Sequence, residues 1–271
     1  MKEKLNELHL FAGAGGGILG GMLLGHTTVC AIELEPYCRE VLLQRQRDGI
    51  LPKFPIWDDV CTFDGTPWRG KVDVVCGGFP CQDISAAGKG AGITGERSGL
   101  WGEMARIIGE IRPKYAFVQN SPMLTLRGLD RVLGDLSEMG YDARWGVVGA
   151  YHVGAPHRRE RIWIIAKRGK FLSYSQHNGT GWGKQQQKSV KEKTGETLHS
   201  NSKGLERHER ERIQRKTWGE EKPCRFSWWS SEPGIHRVAN GVANKVDRIK
   251  AIGNGQVPLV AATAWRILGG E

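Results

Sequence analysis

A cysteine behind a proline is the residue best suited to covalent chemistry in this chain. Val72-Asp73-Val74-Val75-Cys76 is a short apolar run that reads as a buried strand. Gly77-Gly78-Phe79-Pro80-Cys81-Gln82 follows, which puts Pro80 and Cys81 at the strand's carboxyl end, where ligands and chemistry sit in open α/β sheets. Cys81 there is a candidate nucleophile; the alternative is a small buried thiol. Two carboxylate positions are placed for binding. Glu33 ends the apolar run Thr27–Ile32, about twenty residues after a glycine cluster, where a carboxylate accepts hydrogen bonds from ribose hydroxyls. Asp58-Asp59 could hold an adenine amino group or cap the next helix.

The elements that must position these residues alternate strand and helix. A strand over 5–11 leads into Phe11-Ala12-Gly13-Ala14-Gly15-Gly16-Gly17 and a helix over 18–24. Such a turn lets a ligand approach the backbone and points helix N–H groups at it; packing alone is the other reading. The G-x-G-G pattern is not the dinucleotide fingerprint, and no phosphate-cradling P-loop sequence occurs. A helix from Pro36 to about Arg47, a short strand near 54–57, and the strand before Cys81 follow. Three βα units with glycines after the first and acids after the second and third describe a nucleoside-binding half-sheet. Residues 82–99 carry five glycines, a length typical of lids and binding loops. Beyond them come a helix over 100–111, a strand over 115–118 ending in Gln119-Asn120-Ser121-Pro122, a helix over 124–139, and strands near 143–148 and 161–166. The last two flank Arg158-Arg159-Glu160-Arg161. Gly253-Asn254-Gly255 reads as a turn before a helix starting at Pro258, a further backbone-donor site.

The net charge of +10 and pI near 9.4 suit a polyanionic partner. Residues 168–225 hold fourteen basic and seven acidic side chains, most of that excess. They form either a solvated insert or a small tryptophan-anchored domain that presents cations to phosphates and bases. The division expected is a catalytic and cofactor-binding domain over 1–167, a basic domain over 168–237, and a segment over 238–271 that returns to the first. No apolar run reaches membrane-spanning length and no secretory h-region opens the chain. The six cysteines form no C-x-x-C pair, so neither a disulfide framework nor a metal site is expected, and a cytoplasmic protein fits. Nothing resembles a repeated apolar interface stripe, so a monomer is expected.

Together, Phe11-Ala12-Gly13-Ala14-Gly15-Gly16, Glu33, Asp59-Val60, Gly78-Phe79-Pro80-Cys81-Gln82, Arg158-Arg159-Glu160-Arg161 and Gly253-Asn254-Gly255-Gln256-Val257 resemble the DNA (cytosine-5) methyltransferases in order and spacing. The small size and the Ser-Pro-Met-Leu after residue 120 look most like phage or prophage members, and the family's setting is restriction-modification in a bacterial host cell. The resemblance implies a Rossmann-like α/β fold with a mixed sheet and an inserted target recognition domain. It implies S-adenosylmethionine as methyl donor, held by Phe11, Ala12, Gly13, Gly15, Gly16, Glu33, Leu34, Asp59, Val60, Pro80, Leu100, Asn254, Gln256 and Val257. It implies double-stranded DNA as partner, with the target base flipped out. Cys81, activated as thiolate, would add to carbon 6 of cytosine. Pro80 and Asn120 belong to the same catalytic motifs, Arg161 would contact the cytosine O2, and Arg159 would support the site.

One position departs from the family. Its Glu-Asn-Val motif is Gln119-Asn120-Ser121 here. The family's glutamate delivers a proton toward ring nitrogen 3, help often worth roughly 10²–10⁴-fold. An amide imitates the hydrogen bonds of the protonated acid and cannot deliver the proton. The expectation is a site that binds the base and is impaired in catalysis. The alternatives are a non-catalytic base-flipping relative and the same chemistry on RNA.

Overall fold

A strand whose side chains are buried on both faces belongs in the middle of a covered sheet. β1 (Asn6–Leu10) lies there, paired in parallel with β2 (Thr27–Ile32) and with β4 (Val74–Gly77). The structure, a computed structural model, describes residues 4–80, 100–169 and 245–270. Its seven strands run β3-β2-β1-β4-β5-β7-β6, with β3 at Ile56–Trp57, β5 at Tyr115–Asn120, β6 at Tyr141–Val148 and β7 at Arg161–Arg168. Strand β7 is antiparallel to β5 and to β6, so the sheet is mixed, as expected. Every residue of β5 is buried, whereas the edge strand β6 alternates buried ends with exposed middle positions.

Helices cover both faces. On one, α3 (Leu100–Ile111) and α4 (Leu129–Glu138) bury Trp101, Met104, Ile107, Ile108, Val132 and Leu136 against Leu8, Leu10, Val75, Val118 and Ile164. The other face receives the carboxyl-terminal helix α6 (Pro258–Leu268), whose Val260, Ala261, Ala264 and Trp265 pack on Leu5, Val74, Phe117 and Trp163. Helix α1 (Gly16–Leu24) packs closely on α6: a Cβ added at Gly20 would lie 2.9 Å from the Ala261 Cβ. Helix α2 (Pro36–Arg47) starts on Pro36 and closes a third apolar cluster of Ile18, Ala31, Leu42, Leu51 and Phe54.

Several sequence expectations shift. The helix expected over 124–139 is two elements, a 3₁₀ turn at Pro122–Leu126 and α4, because Gly128 interrupts it with φ +134°. Gly253 and Asn254 are not a turn before the last helix; they close a helix of their own, α5 (Lys245–Asn254). That helix leaves Val246, Ile249 and Ile252 exposed on successive turns, an apolar stripe not expected from the sequence. Cys81, the 82–99 loop and nearly all of the 168–237 domain lie outside the described residues. Among the described residues no helix is long and apolar enough to cross a membrane.

Beneath α1 the apolar packing admits a buried polar cluster. Glu7 is buried with His9, His26 and Cys76, and His9 and Cys76 are direct cross-strand partners in the β1–β4 ladder. His26 Nδ1 lies 2.6 Å from Glu7 Oε1, and His9 Nε2 lies 2.9 Å from Oε2. Burial alone would raise the Glu7 pKa, but the hydrogen bonds with His26 and His9 outweigh it and hold the carboxyl at about 2. The Cys76 thiol is pushed well up by its burial and by the Glu7 charge. Since the folded pKa lies below the ordinary value of 4.5, the stability Glu7 contributes is complete above that pH and is lost as pH falls toward 2. Glu7→Gln is expected to flatten that part of the acid limb and to cost about 3 kcal/mol at neutral pH. Urea denaturation across the acidic range checks both effects.

Candidate active site at the carboxyl edge of the sheet

The site begins where β1 runs out. Phe11 and Gly13 take positive φ of 54° and 55°, and Gly15, also positive at 91°, starts α1 without a side-chain cap. The turn is tied to β2 by the Ala12 N–H, which donates to the Ile32 carbonyl at 3.1 Å. The next amide, Gly13 N–H, donates to Glu33 Oε2 at 2.6 Å, and Glu35 N–H donates to Oε1 at 2.8 Å. Each carboxylate oxygen has two lone pairs, so these bonds orient Glu33 and leave acceptor capacity for two hydroxyls. Arg39, from the first turn of α2, donates to the carbonyls of Glu33 (3.0 Å) and Leu34 (2.6 Å) and so holds the peptide behind the carboxylate. Leu34 is 68% exposed. With half-buried Phe11 it gives this edge two apolar side chains.

Asp59 caps no helix, because the chain turns directly after it. Its Oδ1 accepts from the Cys61 N–H at 2.9 Å, and its carbonyl accepts from Thr62, closing a turn rather than a helix. Val60 is buried in the α3 core, and its carbonyl accepts from Arg106. Trp57, half-exposed at the end of β3, borders Glu33, whose N–H donates to its carbonyl at 2.9 Å. The sequence reading passed over it, as it did Arg39.

The segment after α5 closes over the glycine turn. A Cβ on Gly16 would fall 2.1 Å from the Gln256 carbonyl oxygen, so only glycine permits this backbone-on-backbone contact. The Gln256 carboxamide reaches further: its Oε1 would lie 2.7 Å from a Cβ on Gly17, and its Nε2 3.3 Å from one on Gly78. The same point at Gly78 lies 2.9 Å from Gln119 Oε1. Gln256 thus stands between the glycine turn and the residue that departs from the family pattern. Val257 caps α6 and packs into the second core. Asn254 is exposed on the last turn of α5.

At the end of β5, two adjacent amides do different work. Asn120 is 1% exposed; its Nδ2 donates to the Phe79 carbonyl at 3.2 Å and its Oδ1 accepts from Ser121 N–H. Phe79 is itself buried on Trp101, with ring centroids 5.5 Å apart. The chain is thereby fixed up to half-buried Pro80, the last described residue before Cys81. Leu100, half-buried, resumes the described chain at the start of α3. Gln119, 8% exposed, pairs in register with Trp163 on β7. Arg161 starts β7 one step beyond the Asn120–Ile162 pair and therefore stands at the same edge. Arg159, with φ 37°, turns to the carbonyls of Ile252, Gly253 and Gly255. Its burial and the neighbouring Arg161 lower its pKa. A cavity of about 770 Å³ lined by Ile108, Arg112, Met139 and Tyr141 lies at the opposite end of β5 and holds none of the expected site residues.

A model of the C-5 cytosine-specific DNA methylase family matches residues 5–262. The type II methyltransferase M.CviJI of Paramecium bursaria Chlorella virus IL3A is 33% identical over 162 residues, covering 59% of this chain and 42% of that protein. The type II methyltransferase M.Eco47II of Escherichia coli is 36% identical over 172 residues, covering 59% of this chain and 39% of that protein. The chain thus spans about two-fifths of the length of these relatives. Among solved structures, that of a Spodoptera frugiperda DNMT2 mutant matches with a TM-score of 0.50 at 17% identity, over 62% of this chain and 51% of that one. This last likeness is one of fold.

The two glycines of the turn should respond differently to alanine. Gly13→Ala meets nothing within 4 Å and costs only the positive φ, about 1–2 kcal/mol. Gly16→Ala must push back the Gln256 backbone and should cost more than about 3 kcal/mol. Thermal denaturation of the two variants side by side tests the ranking.

Proposed function

This chain belongs to the C-5 cytosine-specific DNA methylase family, and on that premise we propose that it methylates carbon 5 of cytosine in double-stranded DNA with S-adenosylmethionine. The observation that carries the proposal is the joint anchoring of one edge: Glu33 held by the Gly13 N–H, and Phe79-Pro80 held by Asn120. The carboxylate that would bind the nucleoside and the segment leading to Cys81 are anchored at the same carboxyl edge of the sheet. Such a reaction belongs where the DNA is, in the cytoplasm of a bacterial host cell.

The residues present suit the cofactor. Glu33 has lone pairs left for two ribose hydroxyls, Phe11 and Leu34 offer apolar contacts to adenine, and Asp59 would accept from the adenine amino group. The uncapped N-terminus of α1 favours the carboxylate of the methionine end. S-adenosylmethionine, when bound, supplies an electrophilic methyl group on a sulfonium.

In the proposed sequence the Cys81 thiolate forms a bond to carbon 6 of the flipped base, and the carbon 5–carbon 6 π electrons move toward nitrogen 3. The resulting enamine makes carbon 5 nucleophilic enough to take the methyl group. A base then removes the carbon 5 proton, and the electrons left behind expel the thiolate. Arg161 would hold the cytosine O2. Gln119 would donate its NH₂ to nitrogen 3 and accept from the exocyclic amine, without supplying a proton.

That amide also favours a second reading, a relative that binds and flips the base with little turnover. Transfer of a labelled methyl group to duplex DNA separates the two. Gln119→Glu should raise the rate by roughly 10²–10⁴-fold, and Cys81→Ser should abolish it. Duplex containing 5-fluorocytosine should trap a covalent Cys81 adduct detectable by mass spectrometry. Binding without adduct or transfer in any variant would leave the base-flipping reading, and transfer only to RNA would replace the substrate.

A further inference from the structure

We propose that Arg159 is a positioning residue of the cofactor site: its guanidinium clamps the carboxyl end of α5 and seats Gly255-Gln256-Val257 on the glycine turn. The proposal rests on the functional reading above, since the seat is taken to be the cofactor's.

A helix leaves its last carbonyls without intrahelical partners, and a cation placed there satisfies both the orphan oxygens and the helix dipole. At the end of α5 the Gly255 N–H returns to the Ala251 carbonyl at 2.9 Å, which leaves the carbonyls of Ile252 and Gly253 to be met from outside. Arg159 Nη2 meets them at 3.2 and 2.9 Å and also donates to the Gly255 carbonyl. These contacts join positions more than ninety residues apart in sequence. The described partners of Arg159 are all backbone carbonyls, an arrangement that answers helix ends rather than carboxylates.

The clamp has direct consequences at the glycine turn. Gly255 precedes Gln256, whose backbone touches Gly16 and whose side chain reaches Gly17 and Gly78. Releasing the Gly255 carbonyl frees the one peptide that sets where Gln256 enters. The positive φ of Arg159 is a strained conformation for a residue with a side chain, and it accompanies a guanidinium whose Nη2 is shared among three carbonyls. Lys250 adds a second tie from the same helix, pairing with Glu35 beside Glu33. Arg161, two residues along, starts β7 at the base side, so one short loop serves both halves of the site.

The test uses the full chain with Arg159→Gln and Arg159→Lys, read by amide hydrogen exchange without cofactor and by calorimetric titration with S-adenosylhomocysteine. Exchange at residues 252–257 should rise about tenfold or more in the Gln variant and less in the Lys variant, which keeps charge and a donor. The Kd for S-adenosylhomocysteine should rise about tenfold in Gln and be partly restored in Lys, with duplex affinity unchanged. Should the Gln variant not fold, the Lys variant carries the same readings. Exchange unaltered at 252–257, or unchanged S-adenosylhomocysteine affinity with weakened duplex binding, overturns the clamp. A wild-type chain that binds no S-adenosylhomocysteine overturns the functional reading instead, while exchange at 252–257 still reports on the clamp.

Discussion

The close approach of the two ends of the described chain over the glycine face of α1 is the contact on which the site depends. Gly16 and Gly17 meet Gln256, Gly20 meets Ala261, and Gly21 meets the Glu7 carboxylate, where an added Cβ would lie 1.9 Å from Oε2. Interior glycines each cost a helix roughly 0.5–1 kcal/mol. Here they let α6 and the Gln256 segment pack against α1 at backbone distance, and they give the buried Glu7 carboxylate room between its histidines. The same face that stabilises the fold thus delivers the Gln256 carboxamide to the site edge.

Around that seam the site is assembled from backbone donors and amides more than from charged pairs. Glu33 is oriented by two N–H groups, Phe79 by an asparagine, and the end of α5 by an arginine that binds carbonyls. Such bonds are directional and depend little on salt, so they hold positions without relying on ion pairs. Gln119 and Asn120 show the economy of a strand: successive side chains face opposite ways. One amide turns toward Phe79 and stabilises the approach to Cys81, and its neighbour lies near Gly78 and the Gln256 side chain.

Where local pattern and chemistry agreed, the sequence reading stands. The parallel strands, the glycine turn, Glu33 at the end of β2 and Pro36 opening α2 are all in place. The misplacements share a cause. The break before α4 depends on one glycine at φ +134°, which a hydrophobic pattern does not register. No helix follows Asp59 to be capped; its Oδ1 takes the amide two residues on in a turn that apolar periodicity does not register. Arg39 and Trp57 were passed over because nothing in their own neighbourhood marks them; their meaning comes from Glu33, whose carbonyl accepts from the Arg39 guanidinium and whose N–H donates to the Trp57 carbonyl.

What the sequence by itself determined is the set of chemical groups and the strand or turn each stands on, because burial periodicity, proline and glycine act over a few residues. The tertiary structure alone decided which of those groups meet. Gln256 comes to Gly16 and Gly78, and Arg159 comes to the last turn of α5, across more than ninety residues and, for Gly16, most of the chain. Contacts of that span follow from how α6 folds back along α1 and from where the β6–β7 connection delivers its arginines. Both are fixed by packing against the whole sheet, a quantity no local pattern contains.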